Sequence, residues 1–308
     1  MKIVSKRVIK NLHLHFLVSV ITLGLIIIFA CGGGDDDAIV PNPGLRDNIS
    51  PDGQDAFSPQ VAMDDNGDAI ITWEQSHDSS IWQIFMSEYR NGTWTHPNNL
   101  NDNISTDGLN ATSPQVAMDD NSDAIIAWGQ WDGSNNRIFK SEYRNGAWTH
   151  PSKLSDNISP DGQSASSPQV AMDVNGDAII TWEQWDGSNL QIFMSEYRNG
   201  VWTHPSGLND HINPNGILGA FVPQVAMDDN SDAIITWVQG DHTGKWQIFM
   251  SEYRNGAWTH PNWRTDKISP DGQNASRPQV AMGNNGDAII TWDQSDGTNL
   301  QIFMMEYR

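Results

Sequence analysis

The sequence predicts an all-β chain: a five-bladed β-propeller of four-stranded blades about 55 residues long, closed by an N-terminal strand that completes the last blade. Three observations predict it. A phrase opening PQVAM returns five times at a nearly fixed period. Each period holds four short runs rich in β-branched and aromatic residues, none with helical spacing. The segment before the first repeat matches the piece that the last repeat lacks.

The proline of the phrase falls at Pro59, Pro114, Pro168, Pro223 and Pro278, in steps of 55, 54, 55 and 55 residues. A fixed period of this size marks a repeat architecture. One unit reads PQVAM, DAIITWEQ, WQIFMSEYR and TWTHP, with Asn-Gly, Asp-Gly or Asn-Ser between the runs. Asn66-Gly67 and Asn91-Gly92 predict hairpins, because the turns that match strand twist need positive φ. Ala69-Ile70-Ile71 is continuously apolar because both faces of an inner blade strand pack on neighbouring blades.

The fifth unit reaches Arg308 before its own NGxWTHP run. Displaced by one period, Ala38 to Ser50 lies against Thr93 to Ser105, with Leu45, Asp47, Asn48, Ile49 and Ser50 identical. That segment is expected to supply the outer strand of the last blade and remove its exposed edge. A linear β-solenoid would call for atypical capping repeats, and none is visible. The expected domains are a leader at 1–30, a lipidated cysteine and tether at 31–37, and the propeller at 38–308.

Lys2, Lys6, Arg7 and Lys10 precede an apolar run from Phe16 to Ala30, too short for the roughly 20 residues of a membrane span and suited to a signal peptide. Cys31 is the single cysteine, so it forms no intramolecular disulfide. The run Ile28-Phe29-Ala30-Cys31 resembles the lipobox of bacterial lipoproteins. The resemblance implies acylation of Cys31, palmitate among the acyl groups, and residence in the cell envelope. Gly32 after the cysteine implies the outer membrane in a Gram-negative cell. Gly32 to Asp37, GGGDDD, reads as a flexible tether.

Four of the 17 basic residues lie before Cys31 and all 38 acids after it, so the remainder carries a charge near −25. Such a surface repels phosphate backbones and anionic headgroups. Nucleic-acid binding is excluded, and membrane contact is expected through the lipid alone.

The repeat arrangement from Ala38 to Arg308 resembles the repeat propellers of bacterial surface lipoproteins and, more distantly, sialidase-like propellers with Asp-box hairpins. Asp65 and Gly67 fit the Asp-box pattern S-x-D-x-G-x-T-W, whereas Met63, Ala69 and Ile70 stand where Ser, Thr and Trp belong. The resemblance implies the fold more than an activity.

The connections after the second run differ among repeats: SHDSSIW, WDGSNN, WDGSNL, GDHTGKW and SDGTNL. The DDNGDA and EYRNG turns on the opposite face barely change. The variable face is therefore the expected ligand face. Gln75, Gln130, Gln184, Gln239 and Gln294 follow the second-run tryptophan by two positions and are candidates to bond sugar hydroxyls. Trp131, Trp185, Trp82 and Trp246 are candidate platforms for a pyranose ring. The opposite assignment has the glutamines satisfying loop backbone and the tryptophans packing between blades.

Asp64, Asp65 and Asp68 lack calcium-loop spacing, and an aspartate at a hairpin start commonly bonds its own turn. His96, His150, His204 and His260 occupy equivalent places on different blades and do not converge on one ion. No metal and no cofactor are expected. Glu74, Gly129, Glu183, Val238 and Asp293 occupy one position in the five repeats, and this is where a catalytic carboxylate set would lie. Near-identical blades build such a set with difficulty, so the expectation is a monomeric module, not an enzyme, that binds a glycan or a surface protein. The alternatives are a sialidase-like glycoside hydrolase and an envelope scaffold without a small ligand.

Overall fold

Five antiparallel sheets follow one another along the chain in the structure, a computed structural model that describes residues 48–77, 80–216 and 218–308. The first sheet contains β1 (Ala56–Met63), β2 (Ala69–Ser76), β3 (Trp82–Arg90) and β4 (Thr93–Thr95), paired in that order. The second contains β5 (Ala111–Met118), β6 (Ala124–Trp131), β7 (Asn136–Arg144) and β8 (Ala147–Thr149). The third contains β9 (Ala165–Met172), β10 (Ala178–Trp185), β11 (Leu190–Arg198) and β12 (Val201–Thr203). The fourth contains β13 (Ala220–Met227), β14 (Ala233–Gly240), β15 (Trp246–Arg254) and β16 (Ala257–Thr259). The fifth has three strands: β17 (Ala275–Met282), β18 (Ala288–Ser295) and β19 (Leu300–Tyr307). Each sheet is an up-and-down meander with the build of a propeller blade.

The four sequence runs become the four strands, and the turns follow the side-chain chemistry. Asn91 and Gly92 both take positive φ, 51° and 79°, as a two-residue hairpin turn requires. In the longer hairpin between β1 and β2 only Gly67 does so, at 86°. Positive φ at Asn66 was therefore not needed. Serine holds the glycine's place at Ser122 and Ser231, with φ of 64° and 65°.

Each first strand carries a bulge that the sequence did not announce. The residue before the repeated proline has positive φ in all five sheets: Ser58, Ser113, Ser167, Val222 and Arg277, between 53° and 59°. The first-strand register breaks here, as between Phe57 and Gln60. Proline has no N–H for the ladder, so it is tolerated at a bulge in a strand paired on one side only.

The core within each sheet is an aromatic pair. The β2 tryptophan stacks on the β3 phenylalanine, with Trp73 and Phe85 centroids 6.1 Å apart and interplanar angle 15°. Equivalent pairs recur in the other four sheets. The buried threonine Thr72 bonds the Phe85 carbonyl at 2.9 Å, so its hydroxyl costs little inside.

Consecutive sheets join in one repeated manner. Ile70 and Ile84 of the first sheet pack on Met118, Ile126 and Trp128 of the second. The Arg90 guanidinium lies 3.7 Å from the Tyr143 ring centroid, and Trp148 donates to Glu88 at 3.0 Å. Asn66 donates to the Asp120 carbonyl at 2.9 Å. The connecting segment seals the far side, where Ile104 N–H donates to the Ile84 carbonyl at 2.8 Å. The same contacts tie sheets two to three and three to four.

Closure of the five sheets into a ring is not found among the described residues. No strand of the fifth sheet packs on the first to the extent seen between consecutive sheets. Ile302 is 78% exposed, while its counterparts Ile84, Ile138, Ile192 and Ile248 are fully buried. Val61, on the outer face of the first sheet, is 65% exposed. The expected closing strand and the leader, tether and Cys31 lie outside the described residues.

Candidate functional site

Antiparallel pairing puts the β2–β3 loops and the connections between sheets along one edge of the array, and the β1–β2 and β3–β4 hairpins along the other. Three exposed indoles lie on the first edge. Trp131 and Trp185, at the ends of β6 and β10, are 38% and 41% exposed, and Trp263, in the connection between β16 and β17, is 72% exposed. Trp263 was not singled out from sequence, because it sits outside the repeated phrases. Its signal was its singularity: the corresponding positions elsewhere are small or polar.

Trp82 and Trp246 open β3 and β15 on the same edge but are half-buried. Phe57 lies against Trp82 at 5.5 Å between centroids, and Phe221 against Trp246 at 4.9 Å. These two rings are occupied by their own neighbours and do not offer a full face to a sugar.

The five glutamines are corrected by the structure. Gln75, Gln130, Gln184, Gln239 and Gln294 are buried. Each carbonyl accepts the buried tryptophan's Nε1–H, as in Trp182 to Gln184 at 3.1 Å. Each amide reaches the incoming loop, as in Gln184 to the Pro160 and Gln163 carbonyls at 2.7 and 3.0 Å. Gln75, Gln130, Gln239 and Gln294 repeat the pattern. Their donors and acceptors are spent on indole and backbone, so they hold the loop and do not bond a ligand.

The carboxylate position has a use that ties it to the bulge. Glu74 accepts from the Ser58 hydroxyl at 3.0 Å and from the Ser113 backbone N–H at 2.8 Å. Glu183 accepts from the Ser166 and Ser167 hydroxyls, and from Val222 N–H at 2.9 Å. Each thereby bonds the positive-φ residue of the following sheet. Such backbone costs about 1–3 kcal/mol, and a charged acceptor offsets part of it. Asp293 instead pairs with the exposed Arg277 at 2.7 Å. Burial would raise the Asp293 carboxyl, but hydrogen bonds and charge from Arg277 and Ser276 hold it below the ordinary range. Alternation along a strand places Glu183 and Trp185 on one face of β10, two residues apart. Gly129 and Trp131 share a face of β6 in the same way.

The opposite edge is polar and internally paired. Asp64 Oδ1 accepts the Asp68 N–H at 2.8 Å, and Asp119, Asp173 and Asp228 do the same in their hairpins. The aspartates thus serve their own turns. No group of three or more potential ligands able to hold a metal ion occurs among the described residues. His96 bonds Ser87 at 2.9 Å and stacks on Trp94, and His150, His204 and His260 repeat this on separate sheets. Burial lowers the basicity of the latter three. Shallow grooves of about 420 and 480 Å³ run between sheets here, lined by Asp177, Arg198 and Tyr253 in one and Asp123, Arg144 and Tyr197 in the other.

Two hairpin carboxylates stand apart: Asp119 Oδ2 and Asp228 Oδ2 are buried and have no hydrogen-bond partner among the described residues. Their counterparts Asp64 and Asp173 accept a serine hydroxyl from the first hairpin of the following sheet, from Ser122 and Ser231 respectively. Opposite Asp119 stands Gly176. Burial pushes the Asp119 carboxyl up to about 6.

No protein-family model matches the chain, and no curated protein does. Among solved structures it is similar to an ulvan lyase described as a new family of polysaccharide lyase, at 13% identity and TM-score 0.49, over 80% of this chain and 68% of that one. It is similar to the α-L-arabinofuranosidase of Fusarium graminearum at 13% identity and TM-score 0.47, over 82% and 83%. A microbial sialidase aligns at 11% identity and TM-score 0.46, over 82% of this chain and 53% of that one. The expectation that the chain is not an enzyme is corrected by these likenesses, since the matched proteins are themselves enzymes.

Proposed function

We propose that the chain is an exported, lipid-anchored protein of the cell envelope that engages glycans along the edge bearing Trp131, Trp185 and Trp263. The observation that carries the reading is the distribution of indoles. The second-strand tryptophans Trp73, Trp128, Trp182, Trp237 and Trp292 are buried in the sheets, whereas Trp131, Trp185 and Trp263, which the repeat does not fix, stand in solvent on one edge. A flat apolar face beside carboxylates and hydroxyls suits a pyranose, which has apolar C–H faces and a polar rim. Around Trp185 the polar groups are Glu183, Ser166 and Ser167.

Cleavage of a glycoside is the second reading, and one observation favours it: Glu183 shares a face of β10 with the exposed Trp185, two residues away. Glycosidases work with paired carboxylates, and Glu74, Glu183 and Asp293 are the candidates. A glycan array probed with the chain identifies the ligand. The selected oligosaccharide is then incubated with the chain and with Glu183→Gln, and products are followed by chromatography. Binding lost in Trp131→Ala/Trp185→Ala supports the reading, and products that vanish in Glu183→Gln assign turnover to it. No glycan bound, with a surface protein captured instead, would replace it.

A further inference from the structure

The join between consecutive sheets has two halves, and the chain exposes one unused half at each end. The leading half consists of the two isoleucines, the glutamate, the arginine and the hairpin asparagine of one sheet. The receiving half consists of the valine, methionine, tyrosine and outer tryptophan of the next. On the fifth sheet the leading half is open: Ile302 and Ile289 are exposed although all their counterparts are fully buried. On the first sheet the receiving half is open: Val61 and Met63 are exposed, while Val170 and Met172 are buried.

The polar contacts tell the same story. Glu88, Glu142 and Glu196 accept an indole N–H from the following sheet, but Glu306 pairs with its own Arg308 at 2.9 Å. Trp94, the counterpart of those indole donors, is half-exposed and has no such glutamate among the described residues. Asn66, Asn121, Asn175 and Asn230 donate to a carbonyl of the following sheet, whereas Asn285 turns back to Asp287 at 3.1 Å. Ile84 N–H donates to the Ser105 hydroxyl, and Ile104 N–H to the Ile84 carbonyl. The matching groups at the ends are Ile302, Ser50 and Ile49.

We propose that the chain associates head to tail with a second copy, the fifth sheet of one chain receiving the first sheet of the next. The occupant follows from the four internal joins. They show what covers each face, namely a sheet of this sequence, and they carry the chain from first sheet to fifth without bringing its own two open faces together. The first sheet of another copy presents the required valine, methionine, tyrosine and tryptophan. Such a contact is heterologous, so it adds chains in a ring or a filament. It replaces the expectation of a monomer and does not depend on the glycan reading. Repetition along an assembly would multiply the indole edge and raise avidity for a polymeric ligand.

The test uses the full chain in mild detergent. Val61→Asp blocks the receiving face and Ile302→Asp the leading face, and both residues are exposed, so each variant is expected to keep the wild-type circular dichroism. Sedimentation velocity should show wild type associating with rising concentration and each variant alone as a monomer. An equimolar mixture of the two should give a 1:1 dimer, because each variant retains the half that the other has lost. A mixture that stays monomeric would overturn the proposal, as would wild type that is monomeric at every concentration. In a Cys31→Ser background, Met63→Cys/Met304→Cys should crosslink between chains. A disulfide formed within single chains would show that the sheets close on themselves and would equally overturn it.

Discussion

Replacing Gly176 with serine should remove the anomaly at Asp119. A carboxyl moved from 3.8 to about 6 corresponds to at most about 3 kcal/mol of disfavoured ionisation, and roughly half that once solvent screening is allowed for. The sign follows from proton binding: the folded state holds the proton more tightly. Stability from this group is greatest below about pH 4, falls between pH 4 and 6, and stays low above that range. A serine hydroxyl at position 176 would copy the bond that Ser122 makes to Asp64 at 2.5 Å. A hydrogen bond to a charged acceptor contributes about 1.5–3 kcal/mol, against about 1 kcal/mol for a serine at positive φ. The backbone tolerates it, since Ser122 and Ser231 adopt 64° and 65° in the same turn. A Cβ at Gly176 would stand 3.1 Å from Arg144 Nη1 and from Asp119 Oδ2, so the flexible arginine must give slightly. Gly176→Ser should therefore stabilise by about 1 kcal/mol at pH 8 and destabilise by a similar amount at pH 4, where the acid is neutral. Denaturant melts at the two pH values and a carboxyl NMR titration of Asp119 check this. A wild-type Asp119 titrating near 4, or a serine variant with the same shift in stability at both pH values, would refute the reasoning.

Other outcomes are expected elsewhere. Gln184→Ala should destabilise by about 2–3 kcal/mol, because it strands the Trp182 indole N–H and two loop carbonyls, and thermal melts read it. Trp185→Ala should weaken the selected glycan by about 0.5–1.5 kcal/mol, or up to about tenfold, without changing the melting temperature, as calorimetry would record. Cys31→Ser should release the protein from the membrane fraction and abolish labelling by a fatty-acid analogue. Persistent attachment would favour a retained apolar anchor.

Much of the fold was legible because the repeat prints it five times. The four runs per period became four strands, and Asn91-Gly92 gave its hairpin. The glutamines misled for a physical reason: x-Trp-x-Gln on a strand puts both side chains on one face, and that face is the interior, where the amide bonds the indole it accompanies. Alternation alone does not say which face is wet. The bulge before Pro59 and its counterparts left little trace, since Ser, Val and Arg all occupy the same strained backbone. Trp263 escaped because attention to what repeats passes over what does not. The open faces of the first and fifth sheets were hidden by the repeats' very likeness, for Ile302 and Ile84 have the same neighbours in sequence and opposite surroundings in space.

Hydroxyl-radical footprinting of the chain with and without its oligosaccharide tests the assignment of the glycan-binding edge, because it reads every exposed indole in one experiment. Bound glycan should protect Trp131, Trp185 and Trp263 on one edge and leave Trp94, on the other, as reactive as before. Protection of Trp94 with the other three unchanged would contradict it.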